Sequence, residues 1–247
     1  MTIDLEKLAE DFWSAVGGKQ SYPRSLENSV GWALPLAIIK LPHLGVRAVE
    51  DWLHRRGMTG FCELADHQLR ACLIARFGYG IVLIDATDPE DEQRFSLAHE
   101  LAHFILDYLK PRQTALAALG GDVLDVLDGI RKPTPQERLS GVLRGVVIGP
   151  YTNLMDRSTD NSIADINTLD SETMADRLAL ELLAPLRVIY AKLRTAAIDF
   201  HNGNAATDAT ALLSTHFGLP ARIARSYATM LVYRKRSTPS FREWLGI

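Results

Sequence analysis

The chain has 247 residues, 47% of them apolar, and a formal net charge of −3. That size holds one large domain or a domain with a small appendage, and the composition supports a real core. The mild charge excludes bulk polyanion binding, and two cysteines, Cys62 and Cys72, are too few for a disulfide framework.

No apolar run reaches the ~18 residues of a membrane span, and no basic stretch followed by an apolar run opens the chain. The expectation is a cytoplasmic protein with reduced thiols and no membrane partner.

Residues 4–16 read as an amphipathic helix with Leu5, Leu8, Ala9, Phe12 and Trp13 on one side. Gly17 and Gly18 stop it. A polar loop with Pro23 runs to Asn28. Leu34–Ile39 reads as a strand, with Pro35 marking an edge or a start. Residues 45–56 read as a short helix. Leu69–Arg76 and Gly80–Asp85 read as a hairpin turned by Phe77, Gly78 and Tyr79.

The hairpin leads into Arg94-Phe95-Ser96-Leu97-Ala98-His99-Glu100-Leu101-Ala102-His103-Phe104. Asp88 and Pro89 read as an N-cap and first helical residue, with Asp91 and Glu92 suited to the first turn. Apolar residues at 98, 101, 102, 105 and 109 keep a helical period. The His-Glu-x-x-His pattern therefore sits in mid-helix. His99 and His103 share a face one turn apart, where two imidazoles can bind one zinc ion. Glu100 can take a proton from a water that the metal activates. The plainer alternative is a pair of satisfied histidines on a partly buried helix. A sheet edge beside the metal could also take a substrate as an added strand, or the hairpin could be only a floor under the helix.

Residues 110–165 read as an insertion. Thr114–Leu119 and Val123–Leu127 look helical, Arg138–Val147 is a further candidate helix, and Thr152–Asn167 reads as a polar loop.

A catalytic zinc takes three protein ligands. Glu172 is the first candidate for the third. It lies on an amphipathic helix with apolar positions 174, 175, 178, 179, 182 and 183, which Pro185 ends. Ala98, Ala102, Ala175 and Ala179 are small enough to let the two helices approach. Asp176, one turn on, could accept a ring N–H from a ligand histidine and hold its tautomer. Asp107, Glu181, Asp156, Asp160 and Asp165 stay in play as rivals, Asp107 also as a residue supporting a ligand from behind or as a solvated acid. Tyr151, Arg157 and Arg144 are candidate donors to an oxyanion.

The motif segment, with Glu172-Thr173-Met174-Ala175-Asp176-Arg177-Leu178-Ala179-Leu180-Glu181-Leu182-Leu183-Ala184-Pro185, resembles the ImmA/IrrE family of metallo-endopeptidases. The resemblance implies an α+β fold: a mainly helical zincin-like core with a small antiparallel sheet leading into the motif helix. It implies one catalytic Zn²⁺ held by His99, His103 and Glu172, Glu100 as base, and Asp176 beside a ligand histidine. Its usual substrate class is a helix-turn-helix repressor cut under stress or DNA damage. Ala102 stands where family members often have Gly, Asp176 where Asn is frequent, and Leu178 where Phe is. The connection from His103 to Glu172 is also longer than in compact members.

The expected division is a protease domain at 1–190, with the insertion at about 110–165, and a C-terminal helical segment at 191–247 packed on it. Cys62 or Cys72 could occupy the open zinc position as a thiolate, although Cys72 lies in an apolar strand. Residues 208–232 read as two helices around Phe217-Gly218-Leu219-Pro220, loosely like a helix-turn-helix. Arg234, Lys235 and Arg236 are a candidate nucleic-acid contact, with a simple helical hairpin preferred over DNA binding. The competing function is a regulatory protein that senses a partner or DNA on a zincin fold with little turnover.

Overall fold

A computed structural model describes residues 3–18, 21–58, 65–157 and 166–236. The chain forms two compact units, residues 1–19 with 25–179, and residues 20–24 with 180–247. The division falls inside a helix, between Ala179 and Leu180.

In the first unit α1 (Leu5–Ala15) is capped by Asp4, whose carboxylate accepts from the Lys7 backbone N–H. It buries Leu5, Ala9, Phe12 and Trp13, the apolar side of the pattern. A short helix, α2 (Glu27–Ala33), takes part of the segment read as loop. Then come β1 (Leu36–Leu41), α3 (Val46–His54), β2 (Leu69–Arg76) and β3 (Tyr79–Asp85). With β4 (Tyr151–Asp156) they make a sheet in the order β1-β3-β2-β4.

The sheet is mixed rather than antiparallel. β1 runs parallel to β3, with Leu36 opposite Gly80 and Leu41 opposite Asp85. The excursion through α3 and β2 supplies the long connection that a parallel pair needs. β4 pairs antiparallel with β2. It lies in the tract read as a polar loop: Thr152 and Asn153 hid the strand propensity of Tyr151, Leu154 and Met155.

One face of the sheet packs with α3 through Leu44, Val49, Trp52, Leu53, Cys72, Ile74 and Leu83. The motif helix α4 (Glu90–His103) also packs on β2 and β3. Its cap is Pro89 rather than Asp88, whose carboxylate instead accepts from Arg157 Nη1 at 2.7 Å. Every residue from Phe95 to His103 is buried, so this helix is enclosed on all sides. A π-helical turn, Phe104–Leu109, follows directly. Gly80 lies beneath it: a Cβ there would stand 2.8 Å from the Phe104 ring, so only glycine lets strand and helix approach this closely. Tyr108 OH in turn accepts from Gly78 N at 2.9 Å.

The intervening segment has a small core of its own. After α5 (Lys110–Leu119) and α6 (Leu124–Leu127), Ala115, Val123, Val126 and Leu127 are buried together. The nearly buried Arg112 pairs with Asp128 at 2.6 Å. The helix expected at Arg138–Val147 is instead α7 (Pro135–Leu139), set earlier by a capping box between Thr134 and Glu137. Turns at Gly141 and Gly145, both at positive φ, prevent its extension. α8 (Ile166–Leu183) carries the chain from the first unit into the second.

In the second unit α9 (Leu186–Thr195) precedes a helical pair, α10 (Ala205–Phe217) and α11 (Ala221–Arg236). Gly218, in the left-handed region, ends α10. Ala209, Leu213 and Phe217 are buried, as are Ala224, Ala228 and Leu231. Among the described residues no helix is long and apolar enough to cross a membrane.

Candidate metal centre

α4 places His99 and His103 one turn apart with their Nε2 atoms 3.0 Å from each other. α8 brings Glu172 against both: Oε2 stands 3.2 Å from His99 Nε2, and Oε1 3.3 Å from His103 Nε2. Full burial of Ala98, Ala102, Ala175 and Ala179 accompanies this approach. Ligands at ~2.1 Å around a tetrahedral zinc ion stand ~3.4 Å apart. The three spacings are close to that, and the donor set of two imidazoles and a carboxylate is one that zinc takes. The three residues fit the metal.

Each histidine is also held from behind. Asp176 Oδ1 lies 2.9 Å from His99 Nδ1, and Asp107 Oδ2 lies 2.7 Å from His103 Nδ1. An ionised carboxylate only accepts, so each Nδ1 carries a proton and donates it. Each Nε2 lone pair is then left for the metal. Asp107 leaves the choice open to it in the sequence with a partner: it sits on the π-helical turn and also accepts from Ser171 Oγ at 2.8 Å and Tyr151 OH at 3.3 Å.

The charges are mutually tuned. Burial pulls the two imidazole pKa values down, but the hydrogen bonds to Asp176, Asp107 and Glu172 outweigh it and raise both. Glu172 is held well below the ordinary carboxylate range by hydrogen bonds from His103 and His99. Tyr151 is pushed up by burial and by Asp107, so it remains a protonated donor.

Glu100 is wholly buried, and desolvation pushes its carboxyl pKa up, with His99, His103 and Asn153 pulling the other way. Asn153 Nδ2 donates across its two oxygens at 3.2 and 3.4 Å. Asn153 was missed in the sequence because its strand was. The break at Gly149-Pro150 followed by Tyr151 and Leu154 was the available signal.

The rivals sit elsewhere. Asp156 pairs with His67 at 2.7 Å, and Glu181 accepts from Leu186 N at the start of α9. Asp160, Asp165 and Cys62 lie outside the described residues. Cys72 is buried in the cluster shared with α3 and is not among the groups converging on His99. Cys72 thus takes the core position that its apolar strand favoured over the alternative of a thiolate at the metal. Arg157 is engaged by Asp85 and Asp88 at 2.8 and 2.7 Å, and Arg144 is exposed in a turn. Of the three oxyanion candidates only Tyr151 reaches the site. Arg234 and Lys235 are exposed in the last turn of α11, with Lys235 Nζ 4.7 Å from the Tyr190 ring centroid; the Arg236 side chain lies outside the described residues.

A buried acid beside three converging metal donors is suited to hydrolysis, and the class of protein that this points to is a metallopeptidase. The family comparison bears this out. Residues 62–120 match the model of the IrrE N-terminal-like domain, Peptidase_M78, supporting the ImmA/IrrE resemblance. The match spans the hairpin and α4; Asn153, Glu172 and Asp176 lie beyond it. No curated protein and no solved structure matches the chain significantly.

Proposed function

We propose that the chain is a zinc-dependent endopeptidase acting in the cytoplasm on a helix-turn-helix repressor. The observation that carries the enzymatic part is the convergence of His99, His103 and Glu172 within 4.8 Å beside the buried Glu100. Zinc bound there supplies a Lewis acid that polarises a scissile carbonyl and makes water nucleophilic near neutral pH.

The chain's own groups do the rest. Asp176 and Asp107 orient the imidazoles. Glu100 accepts the proton of the attacking water and returns it to the departing amine. Tyr151 stays neutral, and its single O–H, which donates to Asp107, would serve an oxyanion only by turning away from that carboxylate. Among the described residues β4 is an edge strand of the sheet and carries Asn153 against Glu100, so main-chain pairing of an extended substrate along that edge is part of the proposal. The repressor substrate and its link to stress or DNA damage rest on the family resemblance.

The test is cleavage by the full chain loaded with zinc, using helix-turn-helix repressors and an unfolded casein as substrates. Wild type should cleave, and Glu100→Gln should hold one zinc and fail. A Glu100→Gln variant as active as wild type with metal retained would overturn the peptidase reading. Cleavage of casein but of no folded repressor would overturn the substrate reading alone.

A further inference from the structure

We infer that Asn153 is the positioning residue for Glu100, and that β4 thereby completes the peptidase site from outside the matched domain. The inference rests on the peptidase reading above.

Glu100 is 0% exposed. A buried carboxylate needs a donor, and an unmet one is costly. Among the described residues the Asn153 amide is the hydrogen-bond donor to Glu100, reaching both oxygens at once. A contact to both oxygens opposes rotation of the carboxylate about its last bond. The amide also suits a group that gains and loses a proton, because it offers a donor and an acceptor and does not itself titrate. Aspartate there would set two carboxylates against each other.

The strand makes the placement firm. Asn153 lies opposite Leu73 in the β2–β4 ladder. Two residues earlier on the same face, Tyr151 OH reaches Asp107, the carboxylate behind His103. A slip of one residue would turn both side chains to the far side of the sheet. Tyr151 and Asn153 thus fix the register at two points on α4 and its π-helical turn.

The experiment measures kcat, KM, zinc content and melting temperature for Asn153→Leu, Asn153→Asp and Asn153→Gln, alone and with Glu100→Gln. Asn153→Leu should lower kcat by about 10–100-fold, the usual loss when the partner of a reacting group is removed. KM and zinc content should stay near wild type, while the melting temperature falls because the buried carboxylate loses its donor. Asn153→Asp should lose more, and Asn153→Gln should recover part. In the Glu100→Gln background Asn153→Leu should cost nothing further, since both act through one carboxylate.

An equal loss in both backgrounds, or an unchanged kcat in Asn153→Leu, would overturn the inference. The side-chain amide resonances of ¹⁵N-labelled Asn153, assigned by their absence in Asn153→Asp, give a reading without turnover. They should move on Glu100→Ala; an unmoved pair would overturn the inference. If Glu100→Gln is fully active while the resonances move, the peptidase reading fails and the Asn153–Glu100 pairing stands.

Discussion

The two halves of the metal centre are held by different forces. On α4, His99, Glu100 and His103 are 4%, 0% and 1% exposed. They occupy a helix enclosed by sheet and neighbours, so packing fixes them whether or not anything binds. On α8, the Glu172 and Asp176 side chains are 43% and 54% exposed. These two are held by polar bonds to the histidines they serve. The buried half is rigid and chemically armed; the exposed half closes the site and gives access to it.

The largest expected effect lies in the buried half and leaves the exposed half untouched. Glu100→Gln should lower turnover by about 10²–10⁴-fold, the range for general acid–base groups, with zinc content unchanged by elemental analysis. Next is packing. Leu101 is fully buried, and Leu101→Ala should cost about 2–5 kcal/mol in denaturant unfolding. Asp176→Ala should cost less in the same measurement, about 1–3 kcal/mol, because it leaves the buried His99 N–H unpaired; equal destabilisation by both would erase the contrast between the halves.

Smaller effects belong to the groups behind the histidines. Asp176→Ala and Asp107→Ala should each weaken zinc binding by about 10–100-fold in chelator competition. Asp107 is only 28% exposed in its side chain, so its loss should be the larger of the two. The mildest test is pH. Metal takes the neutral imidazole, and the surrounding carboxylates raise both imidazole pKa values above 6.5. Protons therefore compete with zinc for the imidazoles up to a higher pH than they would at a free histidine. Affinity should climb with pH past 6.5, by about tenfold per unit for each proton displaced. Calorimetry in buffers of different ionisation heat reads that release directly; affinity flat above pH 6.5 would contradict the carboxylate effect.

The buried half was legible in the sequence because local spacing defines it. His99, Glu100 and His103 need only a helix, and the hairpin before it is two short apolar runs around a glycine turn. Glu172 was legible because small and apolar residues recur around it at helical spacing. Asn153 was not, since its short strand is marked only by the break at Gly149-Pro150 and by Tyr151 and Leu154, and otherwise resembles a polar loop. The parallel pairing of β1 was equally hidden, because strand order depends on contacts distant in sequence. The cap at Pro89 shifted by one residue because Asp88 is drawn into a long-range pair with Arg157.

The reach of those long-range bonds has a kinetic consequence. Asn153 meets Glu100 across 53 positions, and Asp176 meets His99 across 77. Contacts of that separation pay their loop-closure entropy before they return stability, and they form slowly. The histidines and Glu100 can be in place on their helix while the strand and carboxylates that finish the centre are still being synthesised. A nascent chain that ends before α8 carries the motif without its third metal donor, so the topology delays hydrolysis until α8 has been made.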